Sequence, residues 1–193
     1  MGSLRVIAGS ARGQKLITVP GTVTRPITDR VKESLFNIIG SDIQGSSILD
    51  VFAGTGSVAI EAISRGAQWA RLIDQYAPAV TTIKANLKHT RFTDHAEVLQ
   101  INAFTHLRGN PDRSFDYVYI APPQYKNFWK RTLNLIDQSP TWLNELAWVI
   151  VQIDPVEYES VALINLDEFD TRRYGSTMLV FYFFRGNDGR QIE

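Results

Sequence analysis

Four short stretches carry residue types that could hold and activate a small ligand. The first is Ile48-Leu49-Asp50-Val51-Phe52-Ala53-Gly54-Thr55-Gly56, an apolar run of strand type ending in a glycine loop. Glycines permit positive φ and close backbone approach. The helix expected beyond them offers free N–H groups to an anion or carboxylate. Read as G-x-G-x-x-A from Gly54 to Ala59, the loop fits a dinucleotide fingerprint, or a bare strand–helix turn. Asp50 argues against a pyrophosphate, because a carboxylate four residues before the first glycine suits a cationic ligand, such as an amino-acid ammonium. The second stretch is Asp74 with Gln75, eighteen residues after Gly56. A strand-end carboxylate there can take both hydroxyls of a ribose, or simply cap its strand. The third is Asn102-Ala103, where an amide oxygen can accept from an adenine amine and a backbone N–H can donate to the ring; a helix N-cap fits as well. The fourth is Tyr119-Ile120-Ala121-Pro122-Pro123-Gln124-Tyr125. Its two prolines fix the backbone and remove two donors, leaving carbonyl acceptors. Those acceptors suit the exocyclic amine of an extruded base, with Tyr125 stacked on it; the plain alternative is a rigid loop.

The elements that must position these residues follow from periodicity. Residues 4–24 read as extended, a hairpin or clamp-like arm. A helix follows, with Thr28 as N-cap, Asp29 in its first turn and Gly40 as its stop; Val31, Leu35, Ile38 and Ile39 form its inner face. From about residue 47, strands alternate with helices. Strands are expected at 47–52, 70–74, 97–101, 115–120 and 147–153. Helices lie between, with inner faces marked by Val80, Ile83 and Leu87, and by Phe128, Leu133 and Ile136. Residues 170–174 and 177–184, broken by Gly175, are too close for a crossover helix and should pair antiparallel. The pattern predicts a doubly wound α/β sheet, with chemistry at the carboxyl ends of its strands. A boundary near residue 40 would separate an arm and helix (1–40) from the main domain (41–193).

Composition bounds the function. The chain has 193 residues, 44% of them apolar and 21% charged, and no cysteine. Disulfides, Cys-ligated metal and thiol nucleophiles are therefore excluded. Three scattered histidines suggest no metal site. No run of eighteen apolar residues and no secretory leader is visible, so a cytoplasmic protein without membrane spans is expected. The formal net charge is zero, but residues 1–40 carry +4 and the rest −4. Such a basic arm suits an anionic partner, or merely a solubilising terminus.

Taken together, these residues resemble a class I S-adenosylmethionine-dependent methyltransferase, whose cofactor has both an ammonium and a sulfonium. More narrowly, the chain resembles the RsmD family, which methylates the N2 amine of a guanine in 16S ribosomal RNA. The resemblance rests on Arg5-Val6-Ile7-Ala8-Gly9 with Arg12-Gly13, and on Thr24-Arg25-Pro26 with Thr28-Asp29-Arg30-Val31-Lys32-Glu33. It also rests on Leu35-Phe36-Asn37, the stretch from Leu49 to Gly56, Glu61-Ala62 with Ser64-Arg65-Gly66-Ala67, and Tyr174-Gly175-Ser176-Thr177. It implies a seven-stranded sheet with the last strand antiparallel, and a monomer acting on 16S RNA in the small subunit or its assembly intermediates. It assigns the cofactor to Asp50, Phe52, Ala53, Gly54, Thr55, Gly56, Asp74, Gln75, Asn102 and Ala103. Catalysis falls to Ala121, Pro122, Pro123, Gln124 and Tyr125, and RNA contact to Arg5, Arg12, Lys15, Arg25 and Arg30. The chain departs from the family pattern in two places: Asn102 stands where the family has Asp, and the D-P-P-Y motif is changed at its first and last positions. The family motif D-P-P-Y is here Ala121-Pro122-Pro123-Gln124; the backbone carbonyls remain, Tyr125 is a candidate for the missing aromatic one residue later, and Gln124 and Asp154 are candidate substitute acceptors. A cofactor-binding RNA-binding protein without methyl transfer, a small-molecule methyltransferase and an NAD oxidoreductase are the alternatives.

Overall fold

The computed structural model describes residues 4–21 and 27–186. Seven strands form one mixed sheet in the order β3-β2-β1-β4-β5-β7-β6, numbered along the chain as given below. The chain divides into two compact units between Asn102 and Ala103, not near residue 40. The reason is that the arm is bonded into the first unit rather than standing apart.

In the first unit, β1 (Ser47–Asp50), β2 (Trp69–Asp74) and β3 (Ala96–Gln100) are parallel. Helices α1 (Asp29–Ile39), α2 (Ser57–Ser64) and α3 (Ala77–Thr90) accompany them. Thr28 caps α1 by accepting from the Val31 N–H, as its sequence predicts. The buried face of α1 is Val31, Lys32, Leu35, Phe36 and Ile39. It differs from the expected face by including Lys32 and Phe36 and leaving Ile38 half-buried. Gly56 closes the loop at φ 76, where an added Cβ would stand 3.0 Å from Leu72 Cδ2.

The arm is a short hairpin with an antiparallel bridge between Arg5 and Lys15. Its anchor is the buried carboxylate of Glu61 on α2. Glu61 accepts from the backbone N–H groups of Ile7 (2.7 Å) and Ala8 (3.0 Å) and from Arg65 Nε (2.8 Å). It also faces the fully buried Lys32 ammonium at 3.5 Å, which donates onward to the Arg5 carbonyl at 2.6 Å. Burial pushes the Lys32 pKa down against the pull of Glu61. One turn on, Ser64 donates to the Ala8 carbonyl and accepts from the Ala11 N–H. A Cβ on Gly9 would overlap the Ser64 carbonyl at 1.7 Å, so only glycine fits there.

The second unit comprises α4 (Ala103–Leu107), β4 (Phe115–Ile120), α5 (Phe128–Gln138), β5 (Leu143–Ile153), β6 (Leu166–Tyr174) and β7 (Thr177–Phe184). Strands β4 and β5 are parallel, while β7 runs antiparallel to both β5 and β6, as expected. Two strands extend beyond their predicted bounds. Strand β5 begins four residues early through the polar Asn144 and Glu145, with Leu146 at φ 64. Strand β6 begins at Leu166 and is interrupted by a register shift between Glu168 and Asp170, which hides its alternation. Helix α5 buries Trp129, Thr132, Leu133, Ile136 and Asp137, while Phe128 is only half-buried. Asp137 is inside because its carboxylate accepts from the N–H groups of Ile164, Asn165 and Leu166 ahead of β6. Among the described residues no helix is long and apolar enough to cross a membrane.

The Glu61 cluster predicts an asymmetry. Removing one partner of a buried pair typically costs about 3–5 kcal/mol. Glu61→Ala should lower unfolding stability by that order, since four donors lose their acceptor. Lys32→Met should cost clearly less, because Arg65 and two N–H groups still satisfy Glu61. Denaturant melts of the two variants check this, with amide exchange at Ile7 and Ala8 rising only in the first.

Candidate functional site

The glycine loop after β1 concentrates the unusual electrostatics of the first unit. Asp50 ends β1, is 2% exposed, and its Oδ1 has no hydrogen-bond partner. Its pKa is raised to about 7, first by burial and then by the nearby Asp74 charge, against a lowering hydrogen bond from the Ala59 backbone. Asp74, at the end of β2, accepts from the Gly54 N–H through Oδ2 (2.9 Å) and from the Tyr76 N–H through Oδ1 (2.9 Å). Each oxygen keeps a second lone pair for a ligand hydroxyl. No atom lies within 4 Å of where a Gly54 Cβ would stand, so the loop is open there. Two carboxylates this close, one with an orphaned buried oxygen, favour a positively charged ligand.

The remaining predicted cofactor residues fall around this loop or at the unit boundary. Phe52 follows Asp50 in the turn, and Ala53 donates its N–H to the Ile73 carbonyl. Gly56 donates to the Ala53 carbonyl at 2.7 Å and caps α2. Asn102 donates through Nδ2 to Gln75 Oε1 at 2.8 Å, which fixes the orientation of both amides. Ala103 opens α4 in the second unit.

One residue in this unit carries more than its sequence signalled. Asn86, fully buried on α3, donates through Nδ2 to the Thr55 carbonyl (2.9 Å) and to the Ile17 carbonyl (3.0 Å). Its Oδ1 accepts from the Ile17 N–H at 2.7 Å. The glycine loop and the arm are thus tied to one side chain. A polar residue in the helix stretch Ile83–Leu87 was the available signal. Glu61 and Lys32 likewise sit inside stretches noted only as family markers.

Of the five basic residues assigned to RNA, Arg5, Arg12, Lys15 and Arg30 are exposed. Arg5 bonds Asp29 at 2.9 Å. Arg25 lies outside the described residues.

In the second unit, Ala121 and Pro122 are half-buried, and Pro123, Gln124 and Tyr125 are exposed. Tyr125 is 68% exposed and adopts φ 62; Asn127 adopts φ 53. Positive φ at a non-glycine aromatic residue is strained and marks a position held for a purpose. Glu157 Oε1 holds it by accepting from the Tyr125 N–H at 2.7 Å, and Asp154 Oδ2 accepts from its hydroxyl at 3.2 Å. Asp154 Oδ1 accepts from the Val156 N–H, so both its oxygens already take a bond. Asp154 thus orients the aromatic ring while each of its oxygens keeps a second lone pair, and Glu157 is a holder the sequence did not announce.

Asp50 keeps its proton to about pH 7 in the fold, but only to its ordinary 3.8 when unfolded. Between those values the native state binds more protons, so stability falls as pH rises. Asp50→Asn should remove this penalty and raise unfolding stability at pH 8 by on the order of 2–4 kcal/mol, with little gain at pH 4. Urea melts of both proteins at the two pH values test it.

Comparison with known proteins places this geometry. Residues 4–183 match the family described as "Conserved hypothetical protein 95". YlbH of Bacillus subtilis (strain 168), named provisionally as an rRNA methyltransferase, is 38% identical over 95% of this chain and 100% of its own. "Ribosomal RNA small subunit methyltransferase D" of Escherichia coli (strain K12) is 35% identical over 78% of this chain and 75% of its own. Among solved structures, the Escherichia coli protein yhhF, provisionally called a methyltransferase, superposes with TM-score 0.84 at 30% identity, over 95% and 98% of the two chains. An RNA methyltransferase from Salinibacter ruber, solved with S-adenosyl-L-homocysteine, shares the fold alone at 12% identity, with TM-score 0.65 over 88% of this chain and 99% of that one. The full-length family match, the two relatives and the class I methyltransferase sheet agree: this chain belongs to the RsmD family of methyltransferases.

Proposed function

We infer that the protein transfers a methyl group from S-adenosylmethionine to the exocyclic N2 amine of a guanine in 16S ribosomal RNA. The observation that carries this reading is the Asp50–Asp74 pair beside an open glycine loop, in a family whose named members are rRNA methyltransferases. Asp50, with its orphaned oxygen, suits the ammonium of the cofactor. Asp74 suits the ribose, and Asn102 with Gln75 the adenine. When bound, the cofactor supplies a methyl group on a sulfonium. No nucleophilic side chain is needed, because the amine nitrogen is the nucleophile and catalysis is chiefly positioning.

On this reading the carbonyls of Ala121 and Pro122 accept from the guanine amine, and Tyr125 stacks on the base. An acceptor on the N–H draws electron density toward the nitrogen, which otherwise shares its lone pair with the ring. Losing the family's carboxylate at position 121 removes one such acceptor, and the loss is expected to slow turnover rather than abolish it. The basic residues Arg5, Arg12, Lys15 and Arg30 supply phosphate contacts, whose signature is salt dependence.

The direct test is mass spectrometry of 16S RNA from a strain lacking the protein, with and without complementation, together with methylation of the unmodified small subunits in vitro. A missing N2-methylguanine that complementation restores is the expected result. Asp74→Ala should weaken cofactor binding by about 1–3 kcal/mol, the usual loss for unmatched hydroxyls. Calorimetry with S-adenosylhomocysteine measures this, and unchanged affinity removes Asp74 from the site. Tyr125→Ala should reduce turnover by an amount matching about 1–3 kcal/mol of stacking. Transfer by Ala121→Asp but none by wild type would identify a cofactor-binding protein that has lost catalysis.

A further inference from the structure

Among the described residues of the arm, Ile17 is a large apolar side chain exposed on a surface otherwise carrying Arg5, Arg12 and Lys15. Ile17 is 52% exposed, yet its backbone is among the most firmly held in the arm. Both its N–H and its C=O bond to the buried amide of Asn86, at 2.7 and 3.0 Å. The same amide holds the Thr55 carbonyl of the glycine loop, which places Ile17 beside that loop. Leu16 is buried between the exposed Lys15 and Ile17, so over these three residues the extended segment turns Lys15 and Ile17 to one side. The bridge between Lys15 and Arg5 adds the exposed Arg5 to that face.

An isolated exposed isoleucine needs no explanation. This one differs because two of the three side-chain hydrogen bonds of a fully buried asparagine fix its backbone. A rigid apolar knob flanked by cations fits an RNA whose phosphates meet Arg5 and Lys15 while a gap between bases receives the side chain. Aliphatic residues fill such gaps where a base leaves its stack, lowering the penalty of unstacking.

We propose that Ile17 is an RNA wedge: it occupies the space vacated when the target nucleotide is extruded, with Asn86 as the residue that positions it. The proposal rests on the RNA-methylation reading above and adds to it the element that helps separate the base from its neighbours.

The test compares Ile17→Ser and Ile17→Leu with wild type on two substrates. In one the target guanine is opposed by cytosine, and in the other by an abasic site, so that it is already unpaired. Ile17→Ser should lose about tenfold or more in kcat/KM on the paired substrate. On the unpaired substrate it should recover to near wild type, and Ile17→Leu should be near wild type on both. Affinity for S-adenosylhomocysteine should not change in either variant. Equal loss on both substrates, no loss on either, or a weakened cofactor affinity overturns the wedge while leaving methyl transfer intact. A wild type that methylates neither substrate overturns the wedge, and one that also leaves unmodified small subunits unmethylated overturns the rRNA reading with it. Because the chain has no cysteine, Ile17→Cys gives a unique thiol for a photo-crosslinker. Adducts within a few nucleotides of the target guanine support the wedge, and adducts only elsewhere on the RNA overturn it.

Discussion

A single buried carboxylate organises the first unit. Glu61 sits on α2, an otherwise apolar helix that begins immediately after the glycine loop. An ionised carboxylate inside a protein is tolerated only when its oxygens are fully used. Here they receive two backbone N–H groups from the arm, the Arg65 guanidinium and the Lys32 ammonium. The donors come from three places, the arm, α1 and the end of α2 itself, so satisfying one charge forces the arm, α1 and α2 into a fixed relation. The arm is thus structurally part of the unit, although its composition reads as a loose basic terminus.

Asn86 provides the second tie, and its consequence is mechanical. Ile17 and Thr55 are bonded to the same amide, so displacement of one disturbs the bonding of the other. The glycine loop also leans on Asp74 through the Gly54 N–H. On the proposed function, the cofactor at Asp74 and the RNA at the arm therefore act on connected hydrogen bonds. Reciprocal coupling of two binding events needs such a shared element.

What could be read from the sequence was local. Asp50, the glycine loop and Asp74 are separated by a strand and helix of regular pattern, and their spacing alone placed them at successive strand ends. Thr28 and Gly40 bounded α1 for the same reason. The inner faces of α1 and α5 were partly missed because Lys32 and Asp137 are polar, and periodicity counts only apolar residues. Their burial depends on acceptors or donors far along the chain: Arg5 and Glu61 for Lys32, the segment ahead of β6 for Asp137. Glu61, Asn86 and Glu157 escaped for the same reason, as the backbone groups their side chains bond lie 31 to 69 residues away. The early start of β5 and the irregular β6 were hidden by polar residues and a register shift.

The two units depart from ordinary folding preferences in different ways, and the departures fall on the residues singled out for chemistry. In the first, Asp50 is a buried acid beside another acid, an arrangement that lowers stability at neutral pH and is of the kind expected at functional sites. In the second, Tyr125 holds a left-handed backbone conformation while exposing its ring, maintained by Glu157 and Asp154. The missing carboxylate at position 121 sits three residues before Gln124 in that same loop. On the proposed function, a side-chain acceptor is dispensable there because the prolines fix the backbone carbonyls independently of any side chain. The structural demand at this site is carried by the main chain and by two acidic residues far along the sequence, which is why Ala121 fits a loop whose geometry is still enforced.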